Sequence, residues 1–190
     1  MEILRTFIGV PVSVGRKFLQ ARQELMHALE GERISWTAPG QYHITVKFLG
    51  DTRDSIIAGI SGSLREKVTL PEPARVMLDQ PGSFGSHGKP KVIWIGFEQH
   101  GLFESLKREV EGAISDFGFP TDDHPFRAHL TVGRIRSLDD PVRYYRIIAA
   151  MKDRFREEVR MDRLIFYQSL PAKGGPVYTP LEEIAFRVNP

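Results

Sequence analysis

The chain has 190 residues, 41% of them hydrophobic and 26% charged, which suits one compact domain with a sizeable core and excludes a disordered, collagen-like or coiled-coil chain. Its 26 lysines and arginines against 24 acids leave a net charge of +2, too small for a polycationic nucleic-acid coat. With no cysteine there can be no disulfide, iron–sulfur cluster, thiolate zinc site or cysteine nucleophile; no secretory signal and no membrane-length apolar run is legible, so a soluble, cytoplasmic protein is expected.

Residues 3–10 read as a strand, followed by a helix over 12–30 with Val14, Phe18, Ala21, Leu25 and Leu29 on one stripe. A strand at 41–49 precedes a helix at 52–68, whose Ile56, Ile57, Ile60 and Leu64 share a face although Gly59 and Gly62 weaken it. After a strand at 74–80, the glycine- and proline-rich segment 81–90 has the composition of a lobe connection or rim loop. A strand at 91–97 leads to a helix at 101–118 carrying Phe103, Leu106, Val110, Ile114 and Phe117. Next come a strand at 128–135 and a helix at 140–156, opened by Asp140 as N-cap and Pro141 at the first helical position, with Val142, Tyr145, Ile148 and Met151 on its stripe. Strands at 159–168 and 177–187 close the chain, separated by a turn at 171–176.

These elements repeat. Strand, helix, strand, helix and strand within residues 1–80 recur within 91–168, offset by roughly 86 to 90 residues. We therefore expect one two-lobed domain over 1–190, with 177–187 as a closing strand and a cleft on the pseudo-twofold between similar lobes.

His-x-Thr occurs once per repeat, as His43-Ile44-Thr45-Val46-Lys47-Phe48 and His129-Leu130-Thr131-Val132-Gly133-Arg134, 86 residues apart. On a strand, alternation sends His43 and Thr45 to one face and Ile44, Val46 and Phe48 to the core, with the same split at His129, Thr131, Leu130 and Val132. Two imidazoles and two hydroxyls facing one cleft are the parts of a metal-free phosphodiester site. One imidazole takes a proton from the attacking oxygen, the other protonates the leaving oxygen, and the threonines hold the charged non-bridging oxygens. Arg134 would add a cation, but strict alternation turns Gly133 to the cleft instead. A bulge at Gly133 would re-aim the arginine.

A single His-x-Thr is ordinary strand sequence, whereas a pair at equivalent points of a repeat is specific. With that pair, the chain resembles the two-histidine phosphoesterase superfamily, in particular the RNA 2′,3′-cyclic phosphodiesterases also called 2′–5′ RNA ligases. The resemblance spans Arg5-Thr6-Phe7-Ile8, both motifs, Gly82-Ser83-Phe84, Pro90-Lys91-Val92-Ile93-Trp94, Gln168-Ser169-Leu170 and Gly175-Pro176-Val177-Tyr178. It implies an α+β, bilobal, pseudo-twofold fold in which antiparallel sheets line a central cleft and helices lie outside. It also implies hydrolysis of RNA ends bearing a 2′,3′-cyclic phosphate to a 2′-phosphate, without cofactor, and with 2′–5′ ligation as a possible companion reaction. His129 matches the proton acceptor, His43 the proton donor, and Thr45, Thr131 and Arg134 the phosphate-holding positions. Ala128 stands where many relatives carry proline, a position that supplies no catalytic group.

Phe84, Phe126 and Tyr178 are candidate substrate contacts, the first two by stacking and the last through its hydroxyl. Trp36 is assigned to the core, and Lys47 and Arg127 are candidate charges at the cleft mouth. His27, His87, His100 and His124 lack paired spacing and are assigned to the surface; no metal site, phosphate loop, Gly-x-Ser-x-Gly elbow or dinucleotide fingerprint is present. Two other readings remain: a phosphodiesterase for small cyclic nucleotides or 2′–5′ oligoadenylates, and a non-catalytic RNA-end-binding module.

Overall fold

The computed structural model describes residues 2–69, 72–86, 88–99, 101–120, 122, 125–172 and 175–186. His87, His100 and His124 lie outside these. The strands are β1 (Ile3–Pro11), β2 (Arg33–Trp36), β3 (His43–Arg53), β4 (Ala74–Ser86), β5 (Lys89–Phe97), β6 (Leu130–Ser137), β7 (Glu158–Met161), β8 (Arg163–Leu170) and β9 (Val177–Ala185). Four helices alternate with them: α1 (Arg16–Ala28), α2 (Ile57–Lys67), α3 (Gly101–Ala113) and α4 (Pro141–Ala150). No helix among the described residues is long and apolar enough to cross a membrane.

The strands form one curled sheet in the order β7-β4-β5-β6-β3-β1-β8-β9, with β2 added beside β6, and every pairing is antiparallel. Its two halves meet at a single pair, Ile44 opposite Leu130, the middle residues of the two His-x-Thr motifs. The last strand of each sequence repeat crosses over: β4 joins β5 and β6 in one half, while β8 joins β1 and β3 in the other.

Helices cover the convex face. Phe18, Ala21, Leu25 and Leu29 of the first helical stripe, and Phe103, Leu106 and Val110 of α3, are buried there with Ile44, Val46, Leu130 and Val132. Asp140 caps α4 by accepting from the Arg143 N–H, as its position before Pro141 implies. The buried stripe of α4 is Tyr144, Ile148 and Met151, because the Tyr144 hydroxyl reaches Ser83 Oγ at 2.6 Å; Val142 is exposed instead.

Most of segment 81–90 is strand rather than loop: residues 81–86 belong to β4, paired with β5, and 89–90 to β5, with Gly88 in a turn. Gly82 serves close approach: a Cβ there would stand 2.3 Å from the Trp94 ring. Pro81 is tolerated because β7 pairs only with Ala74–Met77, leaving Pro81 with no ladder partner on that side. The added strand β2 sends Ile34 and Trp36 to the core and Arg33 and Ser35 to the other side.

Candidate active site

Both motifs lie at the centre of the concave face, and the signal that sets their geometry is a pair of equivalent bulges. In β3, Thr45 pairs with Gly9 and Lys47 with Ile8, leaving Val46 as an extra residue. In β6, Thr131 pairs with Trp94 and Gly133 with Ile93, leaving Val132 as the extra residue. Each bulge follows its His-x-Thr directly and reverses the side-chain parity beyond it. Val46 and Lys47 both turn inward, as do Val132 and Gly133, and Phe48 and Arg134 turn out.

The expected bulge at Gly133 thus exists one residue earlier. Arg134 is exposed, and its charge acts on His43, His129 and Tyr178 together. The same parity change overturns two expectations in the other half. Phe48 is 63% exposed rather than a core residue, and Lys47, 3% exposed, is not at the cleft mouth. Lys47 instead donates to Pro120 O at 2.7 Å, Asp122 at 2.9 Å and Glu111 at 3.2 Å. Burial would raise both carboxyls, but hydrogen bonds and charge from Lys107 and Lys47 outweigh it and hold them below the ordinary carboxylate range. In the equivalent slot, Ile34 and Trp36 approach within 3.1 Å of where a Cβ on Gly133 would lie, so any larger residue would have to push those side chains back.

The histidines are held identically. His43 Nδ1 lies 2.8 Å from Gln41 O, and His129 Nδ1 lies 2.7 Å from Arg127 O. A carbonyl only accepts, so each Nδ1 carries the proton and each Nε2 is left as a proton acceptor, or as a donor once charged. A Cβ on Gly9 would stand 2.7 Å from Ile44 O and 3.6 Å from His43 Cδ2, so the ring sits against a bare backbone. Thr45 and Thr131 are half-buried on the same face as the histidines.

Burial lowers the pKa of both imidazoles. For His43 the carbonyl of Gln41 opposes this, the charges of His129 and Arg134 reinforce it, and the value falls to about 4. For His129 the Arg127 carbonyl opposes the shift, and Arg134 and Arg127 reinforce it. The site by itself therefore disfavours positive charge on its histidines, a condition that a bound anion reverses.

Aromatic rings wall the cleft. Tyr178 meets His43 edge-on at 4.9 Å and Phe7 at 5.0 Å, and Phe84 meets His129 edge-on at 4.7 Å. Trp94 stands 6.4 Å from His129, with the Arg127 guanidinium 4.3 Å above its ring. Phe126 contacts neither histidine ring: it packs against the core under the Lys107 ammonium, 5.5 Å from its centroid. Exposed on the concave side 6.1 Å from Phe7, Phe48 is an aromatic that strand alternation misses. Comparing it with Arg134, its counterpart 86 residues on, is the signal that would have found it. His27 is on the surface, paired with Glu30.

A sequence model of the family described as LigT like Phosphoesterase matches residues 8–94 and 98–178. The RNA 2′,3′-cyclic phosphodiesterase of Archaeoglobus fulgidus is 34% identical over 94% of this chain and 98% of its own length. The protein of that name from Thermotoga maritima is 28% identical over 96% of each chain. Among solved structures, TT0787 of Thermus thermophilus superposes with a TM-score of 0.77 at 22% identity, covering 97% of this chain and 98% of that one. E. coli LigT complexed with 3′-AMP does so with a TM-score of 0.72 at 19% identity, covering 97% and 99%.

Proposed function

Since this chain belongs to the LigT-like phosphoesterase family, we propose that it hydrolyses the terminal 2′,3′-cyclic phosphate of RNA to a 2′-phosphate, with its two histidines as the acid–base pair. The observation that carries this reading is the matched pair of Nδ1–carbonyl bonds, which presents an Nε2 from each half of the sheet to one cleft beside Arg134.

His129 Nε2 takes a proton from water as its oxygen attacks phosphorus. The bond from phosphorus to the 3′ oxygen breaks, and His43 Nε2 delivers a proton to that oxygen. The product keeps phosphate on the 2′ oxygen. Thr45 and Thr131 donate hydrogen bonds to the non-bridging oxygens, and the Arg134 fork binds them with charge. His43 enters the reaction protonated only when the substrate anion offsets the burial and repulsion that depress its pKa. Substrate binding and acid activation are therefore one event. Phe84, Tyr178 and Phe48 give the nucleoside apolar surface. A 5′-hydroxyl in place of water would follow the same path to a 2′–5′ bond.

The test is turnover of a short RNA ending in a 2′,3′-cyclic phosphate, in excess EDTA, by wild type, His43→Ala and His129→Ala. A 2′-phosphate formed by wild type alone is expected. Inactive wild type, or a variant retaining full rate, overturns the proposal; activity only on nucleoside 3′,5′-cyclic phosphates or 2′–5′ oligomers redirects it to those substrates.

A further inference from the structure

Beyond Thr131, the concave side of β6 continues as Arg134 and Arg136, and β2 lies alongside with Arg33 and Ser35 facing the same way. Arg136 is itself displaced by an irregularity, since Ile34 pairs with Ile135 and Arg33 with Ser137. Its Nε donates to Ser35 Oγ at 3.0 Å, which holds the guanidinium against β2 at the residue paired with Arg134 and leaves both terminal nitrogens available. The line ends at a groove bordered by Lys89, Lys91 and Ser137.

Arg33, Arg134 and Arg136 have no carboxylate partner among the described residues. Several surface arginines elsewhere do, Arg65 meeting Glu182, Arg75 Glu158, Arg154 Glu24 and Arg156 Glu98. Of the other exposed arginines without one, Arg5, Arg16, Arg53, Arg108 and Arg146 are scattered over five separate elements, and Arg127 stands over Trp94. A near-neutral chain has thus left three adjacent guanidinia unneutralised on one strand pair, leading away from the histidines in a single direction. Alternate positions along a strand recur about every 7 Å, a spacing on the scale of successive phosphates in an extended single strand. The opposite flank of the cleft carries Phe48, Phe7 and Tyr178 instead. It offers aromatic contact with one guanidinium, Arg5, near Tyr178, where this flank lines up three.

We propose that Arg33 and Arg136 form a phosphate track for the RNA strand 5′ to the cyclic phosphate, so that the substrate is an oligonucleotide whose body leaves the site along β6 and β2. The inference rests on the cyclic-phosphodiesterase reading for its polarity. The Ser35 hydrogen bond orients the Arg136 fork before substrate arrives, and each guanidinium on a phosphate displaces counterions, so the contribution is steep in salt.

The experiment compares adenosine 2′,3′-cyclic phosphate with a six-nucleotide RNA ending in a 2′,3′-cyclic phosphate, using wild type, Arg136→Gln, Arg33→Gln/Arg136→Gln and Arg136→Lys. Wild type is expected to prefer the oligonucleotide in kcat/KM. The double variant should lose about tenfold on it, with the salt slope falling by about 0.7 per arginine removed, while the mononucleotide rate changes less than twofold. Arg136→Lys should keep the slope, since the charge remains. Equal losses on both substrates, or an unchanged oligonucleotide rate and slope, overturn the track. If wild type hydrolyses neither substrate, the cyclic-phosphodiesterase reading fails. The track is then judged by fluorescence anisotropy of the same RNA carrying a terminal phosphomonoester, where unaltered affinity and salt slope in the double variant refute it.

Discussion

Replacing His43 by glutamine should make the protein's stability less sensitive to acid. In the folded chain, burial, opposed by the Gln41 carbonyl and aided by His129 and Arg134, takes the His43 pKa from 6.5 to about 4. The unfolded chain keeps the ordinary value near 6.5. Above about pH 7 the ring is neutral in both states and contributes nothing. As pH falls through 6.5, the unfolded chain takes up a proton that the folded chain refuses until about pH 4, so the folded state loses stability across that window. At about 1.4 kcal/mol per unit, the loss reaches about 2–3 kcal/mol once the ring's remaining solvent contact is allowed for. The assay is urea unfolding of wild type and His43→Gln at several pH values between about 7.5 and 4. Carboxylates common to both proteins cancel in the difference, which should grow from its neutral-pH value by that amount in the variant's favour. Parallel curves would refute the reasoning. The same physics appears in kinetics: kcat/KM, which reports the free protein, should begin to fall with rising pH below 6.5, because burial lowers both imidazoles and the singly protonated histidine pair becomes scarce there. The alkaline limb of kcat should lie at higher pH, since the bound phosphate anion raises both imidazoles.

Other substitutions separate the remaining parts of the site. Arg134→Gln should lower kcat/KM by roughly 100-fold and, by removing a cation that depresses both imidazoles, raise both histidine pKa values in an NMR titration; unchanged titration would contradict the placement of the guanidinium. Gly82→Ala puts a Cβ 2.3 Å from the Trp94 ring and should expel the indole, seen as a change in tryptophan fluorescence with loss of activity. Lys47→Met leaves Glu111 and Asp122 to Lys107 alone and should cost roughly 1–2 kcal/mol in urea unfolding at neutral pH, with the loss shrinking in acid as the carboxylates protonate. Phe48→Ala should raise KM for a nucleoside cyclic phosphate about tenfold with little change in kcat or stability, because the ring is 63% exposed.

The duplicated motif was legible because chemistry and periodicity coincide in it: a strand places residues two apart on one side, and His-x-Thr needs no more than that. Helical stripes were legible for the same reason at α1 and α3, where the apolar residues have one possible inner face. At α4 two registers were open, and a hydroxyl–hydroxyl contact from Tyr144 to Ser83 in a distant strand selected between them. Strand β2 passed unseen, being four residues long with only two facing the core. Segment 81–90 read as a loop since glycine and proline usually mark turns; Gly88 does so at φ +73°, whereas Gly82 makes room for an indole and Pro81 sits at an unpaired strand side.

Residue identity by itself therefore determined the paired His-x-Thr motifs and the family to which the chain belongs, which depend on spacings of a few residues and on a recurrence visible along the chain. The tertiary structure alone decided which way Lys47, Phe48 and Arg134 point. Both bulges are mismatches of register between strands distant in sequence, Val46 against Ile8 and Gly9 and Val132 against Ile93 and Trp94. Alternation is a local rule, and one unpaired residue reverses it for everything that follows.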